Sequence, residues 1–228
     1  MQNTEFRTGV IKPIECLKEA WELIKPDYWL LFAVTIVGVL IGGMTLYILL
    51  GGMMCGIYFV YLKRIDGGPV VFEDLWKGLS WFVPGLAVTV FIMVPFLIVY
   101  GVIYVPLIVA AVMGERMSEN ELLSLLGGIF AVDLILMVAM VCLHTLIIFA
   151  FPLIVDRGLG GFRAMLVSAK AVWKNLGGVA GLYAVNFVLA LAGLLAVCVG
   201  IYLVIPVLLA ANLVAYRKVF PAQTAVTN

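Results

Sequence analysis

Long apolar runs separated by short polar stretches organise the whole chain. The runs 28–62 and 176–216 contain no charged residue. Because a helix crosses a bilayer with about 20 apolar residues, each of these runs is too long for one span and predicts two. We expect them to turn near Gly42-Gly43 and near 197–200. Two further runs predict one span each, so the pattern predicts six spans, at about 28–43, 45–62, 83–113, 122–155, 176–197 and 199–216.

A second pattern, amphipathic at helical spacing, precedes each predicted pair of spans. Apolar residues recur there every three or four positions, with charged residues between them, which is typical of helices lying in the membrane interface. The predicted fold class is therefore an all-α membrane protein, with six transmembrane helices as three hairpins, each preceded by a cytoplasmic amphipathic interfacial helix. The three apolar stripes are Ile14, Leu17, Trp21 and Ile24; Phe72, Leu75, Trp76 and Leu79; and Phe162, Met165, Ala169 and Val172.

The first and last of these units align with each other at one constant offset. Both begin on the same side of the membrane, which predicts a parallel internal repeat. The aligned residues are Ile14, Ala20, Ile24 and Asp27 in the first unit and Phe162, Ser168, Val172 and Asn175 in the last.

Positive charge is distributed asymmetrically about the six predicted spans. Thirteen of the 14 Lys and Arg residues fall on one side, and the exception, Arg116, lies beside Glu115 in the longest loop of the other side. Short loops rich in Lys and Arg stay in the cytoplasm, so both termini are predicted to be cytoplasmic. We expect one polytopic membrane domain over 1–220 and a disordered tail over 221–228.

Composition agrees with a membrane protein and argues against several other classes. Hydrophobic residues make up 65% of the chain and charged residues 12%, against about 45–50% and about 25% in soluble domains. No basic run points to nucleic acid. The four cysteines lack Cys-x-x-Cys spacing and the chain has one histidine, so neither a disulfide framework nor a metal site is predicted. No catalytic motif occurs, and we expect neither an enzyme nor a bound cofactor.

Three polar residues inside the apolar runs are the candidate site residues. Asp133 lies ~33 Å along a helix from Val155, near the outer boundary, and His144 lies ~16 Å in, near the midplane. Asn186 is expected at a similar depth to His144 on a neighbouring span. Intramembrane polar groups mark either a functional route or hydrogen bonds between helices. A His144–Asn186 hydrogen bond is the structural alternative to a polar route past all three.

One part of the chain resembles a known group of proteins. The signature is confined to about the last 75 residues and comprises 149–160 (FAFPLIVDRGLG), Ala164, Ser168, 200–206 (GIYLVIP) and 215–217 (AYR). It resembles a broad group of uncharacterised bacterial six-span membrane proteins, a domain of unknown function. That group is similar to the membrane domain fused to some glycerophosphodiester phosphodiesterases. The resemblance implies a bacterial inner membrane location and a fold, but no chemistry, since this chain lacks the soluble catalytic barrel.

Two main functions remain open at this point, and lipid handling by the cytoplasmic interfacial helices is a third, weaker option. The first is a non-enzymatic accessory or scaffold subunit of a larger membrane assembly, with the lipid bilayer and a membrane-protein partner or a second copy as its contacts. The second is a small transporter with a polar route past His144, Asn186 and Asp133. The two differ in whether a hydrated cavity reaches His144.

Overall fold

The computed structural model describes residues 5–112, 118–195 and 200–222. Over these ranges the chain is helical and contains no strand, which confirms the predicted all-α class. Five stretches are long and apolar enough to cross a membrane, and they mark the chain as membrane-embedded. They are Pro13–Met44, Phe72–Val105, Asn120–Arg157, Leu176–Leu195 and Gly200–Val219.

The described ranges contain the following helices, numbered in chain order. They are α1 (Pro13–Ile24), α2 (Tyr28–Met44), α3 (Leu50–Ile65), α4 (Phe82–Val112), α5 (Glu119–Leu146), α6 (Ala150–Arg157), α7 (Gly161–Lys174), α8 (Leu176–Leu195) and α9 (Gly200–Val219). Two 3₁₀ segments, Lys25–Asp27 and Phe72–Trp81, precede α2 and α4. Some features of the sequence lie outside the described residues. They are Arg116 with Glu115, Cys198, the predicted turn near 197–200 and most of the predicted tail.

The chain divides into two compact units. The first comprises Met1–Thr89 and Leu146–Asn228, and the second comprises Val90–Thr145. In the first unit, α3 packs against α2, α6, α9 and the segment Phe72–Trp81, while α1 packs against α8 and α9. The centre of this unit is formed by large side chains with almost no exposed surface, among them Tyr61, Phe149, Leu153, Tyr216 and Phe220.

Glycines let backbones approach closely in the first unit. A Cβ placed on Gly56 would lie 2.0 Å from the carbonyl oxygen of Leu75, and one on Gly51 would lie 2.3 Å from the carbonyl carbon of Gly85. Such distances are far below van der Waals contact, so only glycine fits. Close backbone approach is how helices gain packing energy where lipid supplies no hydrophobic driving force between them.

Two of the predicted amphipathic helices bury only part of the predicted stripe, namely Ile24 in α1 and Met165 and Val172 in α7. In α1 the residues without exposed surface are Cys16, Ala20 and Ile24, while Ile14 and Trp21 stay 61% and 45% exposed. In α7 the buried stripe includes Ala164, Met165, Ser168, Ala171 and Val172, whereas Phe162 and Trp173 are exposed. In both helices small residues join large ones such as Ile24 and Met165 in the buried stripe, while aromatic residues such as Trp21 and Phe162 stay exposed. The buried side of each helix is therefore shifted from the predicted stripe toward neighbouring small residues.

The predicted turn near Gly42-Gly43 lies a few residues later in the structure. Gly42 and Gly43 are inside α2, and the turn covers 45–49, with Leu46 and Tyr47 in the left-handed region at φ 51° and 65°. The Thr45 hydroxyl donates to the backbone of α2 and accepts from Leu49 N–H at 3.2 Å, which ties the turn together. Gly42 instead serves packing, since a Cβ there would meet the Leu50 side chain at 2.7 Å.

The stretch 122–155, predicted as one span, consists of two helices. The break lies at 147–149, between α5 and α6. A broken helix leaves backbone groups unpaired, which is costly in an apolar setting unless other groups bind them. Ser168 of α7 does this, because its hydroxyl donates to Leu146 O at 2.8 Å and accepts from Phe149 N–H at 3.1 Å.

Candidate functional site

Asp133 lies in the second unit, on the side of α5 that faces α4. Its carboxylate accepts a hydrogen bond from the Tyr104 hydroxyl at 2.7 Å, and its side chain is half-buried. A surface groove of about 570 Å³ between the two helices includes Ile103 and Val132, the sequence neighbours of this pair. Tyr104 was not among the predicted site residues, although an aromatic hydroxyl is one of the few donors in that run.

The other two predicted residues have different environments. His144 is exposed in the last turn of α5, in the second unit. Asn186 is 8% exposed in the first unit, and its amide nitrogen donates to the side-chain oxygen of Asn212 at 2.9 Å. The side-chain oxygen of Asn186 is buried and has no hydrogen-bond partner among the described residues. Because His144 and Asn186 belong to different units, the hydrogen bond between them stays a prediction.

A cluster of ion pairs forms where α3, α6 and α9 end. Each of these helices carries basic residues in its last turn, where cations offset the negative end of the helix dipole. Asp156 is central to the cluster. Its carboxylate accepts from the Tyr216 hydroxyl at 2.7 Å and from Arg157 Nε at 2.9 Å, and it contacts Arg217 Nη1 at 2.8 Å.

Arg217 joins Asp156 to a second carboxylate. Its Nε and Nη2 donate to the two oxygens of Asp66 at 2.9 and 2.6 Å, the bidentate geometry that guanidinium favours. The side chains of Arg217 and Asp156 are each 13% exposed, against 39% for Asp66. The Asp66 carboxylate is thus the accessible one of the two.

Further pairs of opposite charge connect neighbouring helix ends. Asp74, which is 5% exposed, binds Lys63 Nζ at 2.7 Å and Lys77 Nζ at 2.6 Å. The end of α3 is tied to the segment before α2 by Arg64 and Asp27, and the end of α9 is tied to α1 by Lys218 and Glu19. These contacts join segments far apart in sequence at one end of the first unit.

A pocket of about 430 Å³ opens within this cluster. Its polar side is formed by Lys63, Asp66, Asp156 and Arg217, and its apolar side by Phe59, Leu62 and Val155. The pocket therefore offers two cationic and two anionic groups beside an apolar wall. Among the described residues, no group of three or more His, Cys, Asp or Glu side chains is placed to hold a metal ion.

In the sequence these charged residues indicate only the topology, and the pattern does not single them out as a site. The available indication was that Asp66 and Asp156 are acidic residues at the ends of apolar runs, close to the basic pair Lys63-Arg64 and to Arg157 respectively. The sequence does not show that Arg217 lies between these two carboxylates, because Asp66 and Asp156 are 151 and 61 positions before Arg217 in the chain. No protein-family model, curated protein or solved structure matches this chain. The resemblance to the bacterial six-span group therefore stays a prediction.

Proposed function

We propose that this chain is a six-span membrane protein with both termini in the cytoplasm, serving as a non-enzymatic accessory or scaffold subunit of a larger membrane assembly. Five stretches have the length and composition of spans. The sixth span is α3, whose 16 residues rise about 24 Å and whose apolar path continues through the turn at 45–49. The basic last turns of α3, α6 and α9 support a common cytoplasmic end.

Matching burial supports the proposed parallel repeat. At the constant offset that aligns the first repeat with the last, Cys16, Ala20 and Ile24 of α1 correspond to Ala164, Ser168 and Val172 of α7. None of these six residues has exposed surface. Ile14 and Phe162 also correspond, and they are 61% and 66% exposed. Two helices that bury equivalent positions and expose equivalent positions are what a duplicated structural unit produces.

The length and exposure of α4 carry the scaffold proposal. Its 31 residues rise about 46 Å along the helix, whereas a membrane core of about 30 Å needs about 20 residues. Val102, Val105 and Ile108, near its outer end, are 70%, 55% and 60% exposed. Leu123 of α5 is similarly exposed at 68%. We infer that a partner protein covers this apolar end, since lipid tails do not reach past the core.

Site-specific photo-crosslinking in cells tests this proposal. A photoreactive phenylalanine replaces Leu123 of α5 in one variant and Phe187 of α8 in a control, two residues that are each 68% exposed. The expected result is a discrete protein adduct from position 123 and lipid adducts alone from position 187. Lipid adducts alone from both positions would contradict the scaffold function.

One observation favours the transporter alternative. Asp133 is an ionisable group in an apolar helix and is held by Tyr104 rather than by a cation. Such carboxylates mark proton routes in membrane proteins. In proteoliposomes with a pH-sensitive dye inside, a transporter would acidify the lumen when an acid-outside gradient is imposed, and Asp133→Asn would remove that flux while keeping a hydrogen-bond acceptor. Equal leak from both proteins would exclude this alternative.

A further inference from the structure

The pocket between α3, α6 and α9 has a charge pattern that selects for one kind of ligand. Its two cations and two carboxylates neutralise one another. A purely anionic ligand would meet Asp66 and Asp156, and a purely cationic one would meet Lys63 and Arg217. Burying an unmatched charge beside a like charge is strongly unfavourable. A ligand bearing both signs fits without leaving either pair of protein charges unmatched.

Lys63 and Asp66 are the most exposed of the pocket's four charged side chains. Lys63 is 29% exposed and is bound to Asp74, whereas Asp66 is 39% exposed and is bound to Arg217. Each can form a further hydrogen bond without giving up its partner, because an ammonium has three donors and a carboxylate has about four lone-pair sites. Gly68 keeps space beside Lys63, since a Cβ there would lie 2.9 Å from Lys63 Cγ.

We propose that this pocket binds the headgroup of an aminophospholipid, a phosphate ester that carries a primary ammonium, as in phosphatidylethanolamine. The phosphate lies at Lys63 and the ammonium at Asp66. A primary ammonium donates charge-assisted hydrogen bonds to a carboxylate, whereas the quaternary ammonium of phosphatidylcholine has no N–H to donate. The volume of about 430 Å³ falls within the range of about 300–1,000 Å³ of small-molecule sites.

The apolar wall gives the reason for a membrane lipid rather than a soluble zwitterion. Phe59 lies about one turn before Lys63 in α3, Leu62 directly precedes Lys63, and Val155 directly precedes Asp156 in α6. In the proposed topology, on which this step rests, those residues lie deeper in the bilayer than the charges. The glycerol backbone and the first carbons of the acyl chains therefore lie against apolar side chains while the headgroup meets the ion pairs.

Native mass spectrometry of the purified full chain tests the site. The protein is equilibrated with mixed detergent micelles that contain equal amounts of phosphatidylethanolamine, phosphatidylcholine and phosphatidylglycerol, and the bound lipid is counted. The expected preference for phosphatidylethanolamine over phosphatidylcholine is about tenfold, the worth of one charge-assisted hydrogen bond. Equal retention of these two lipids by the wild-type chain would overturn the proposal.

A charge change at Asp66 gives the decisive comparison. Asp66→Asn leaves the pocket with one net positive charge, so the preference for phosphatidylethanolamine should fall to about parity and retention of anionic phosphatidylglycerol should rise. Asp66→Glu should restore the wild-type order, which a merely structural role would not produce. Glu15→Gln makes the same charge change on an exposed residue of α1 and should alter nothing.

Two further outcomes bear on the assignment. An unchanged lipid order in Asp66→Asn would overturn the site even if the variant were less stable. Displacement of all bound lipid by an equal concentration of soluble phosphoethanolamine would overturn the lipid assignment and show a soluble ligand instead. Because bound lipid is measured on the purified chain, failure here is distinct from failure of the crosslinking test of the scaffold function.

Discussion

At the scale of single residues, Asp156 is a carboxylate that combines two ion pairs with a hydrogen bond from a tyrosine at the helix ends. It is 13% exposed and contacts Arg157, Arg217 and the hydroxyl of Tyr216, while Arg157 itself is 6% exposed. Burying one carboxylate among these groups is tolerable only because each charge has a partner. Removing that carboxylate leaves guanidinium groups that water reaches poorly.

We therefore expect Asp156→Asn to lower the free energy of unfolding by about 3 kcal/mol, since it leaves buried positive charge uncompensated while keeping the side-chain shape. Equilibrium unfolding of the purified protein in mixed micelles measures this. Glu15→Gln, which removes an exposed pair with Lys12, should change the same quantity by no more than about 0.5 kcal/mol. A loss at Asp156 as small as that of the control would show that the cluster contributes little stability.

The buried amide pair gives a second residue-scale prediction. Asn186 donates to Asn212, but its own side-chain oxygen has no partner within the described part of the chain. A double-mutant cycle with Asn186→Leu and Asn212→Leu should give a coupling free energy of about 0.6 kcal/mol, the average for hydrogen bonds between membrane helices. Unfolding free energies of the four proteins supply the cycle. A coupling of zero would mean that the pair does not hold α8 and α9 together.

At the scale of elements, close packing of α3 on the segment Phe72–Trp81 depends on glycine. Gly56→Ala would put a methyl group 2.0 Å from Leu75 O, which is backbone and has no side-chain rotamer to change. We expect a loss of about 3 kcal/mol in unfolding free energy, the upper part of the range for overpacking. Gly43→Ala in α2 meets nothing within 4 Å and should instead raise stability by about 0.5 kcal/mol. Equal effects in thermal unfolding of the two variants would show that helix propensity, not packing, decides.

The exposed tryptophans of α1 and of the segment Phe72–Trp81 give a second prediction about elements. Trp21 and Trp76 are 45% and 46% exposed, beside charged residues of the same segments. Indole rings favour the headgroup region, where the ring contacts apolar groups and its N–H stays hydrated. In variants that retain Trp21 or Trp76 as the single tryptophan of the five in the chain, lipids brominated near the headgroup should quench fluorescence more strongly than lipids brominated at mid-chain. The reverse order for either ring would mean that its segment inserts into the core.

At the scale of the whole molecule, the proposed six spans make a direct prediction about sidedness. In a variant without native cysteines, Ser118→Cys should react with a membrane-impermeant maleimide applied to intact cells, whereas Gly160→Cys should react only after lysis. Gly160 suits this test because a side chain there meets nothing within 4 Å, whereas Gly67 has a φ of +86° that would strain a cysteine. Labelling of position 160 in intact cells would require a different number or direction of spans.

The apolar runs and the charges between them were enough to predict an all-helical membrane protein. Helix formation in an apolar run is decided locally, because every backbone group must be bonded within the segment when lipid surrounds it. The candidate residues Asp133, His144 and Asn186 also follow from sequence, since an ionisable or amide group in such a run is visible by composition alone. Their partners do not, and Asp133 proved to be held by Tyr104, a residue 29 positions away.

Only the tertiary structure decided which apolar side each helix buries and where the helices break. The break at 147–149 depends on the hydroxyl of Ser168, which lies 19 positions after Phe149, and the pocket depends on Arg217 reaching two carboxylates from different helices. Apolar periodicity could not predict them because nearly every position of the long helices is apolar, so hydrophobicity there no longer distinguishes a packed side from one that faces lipid. That distinction comes from side-chain size and from long-range contacts, which exist only once the helices are assembled.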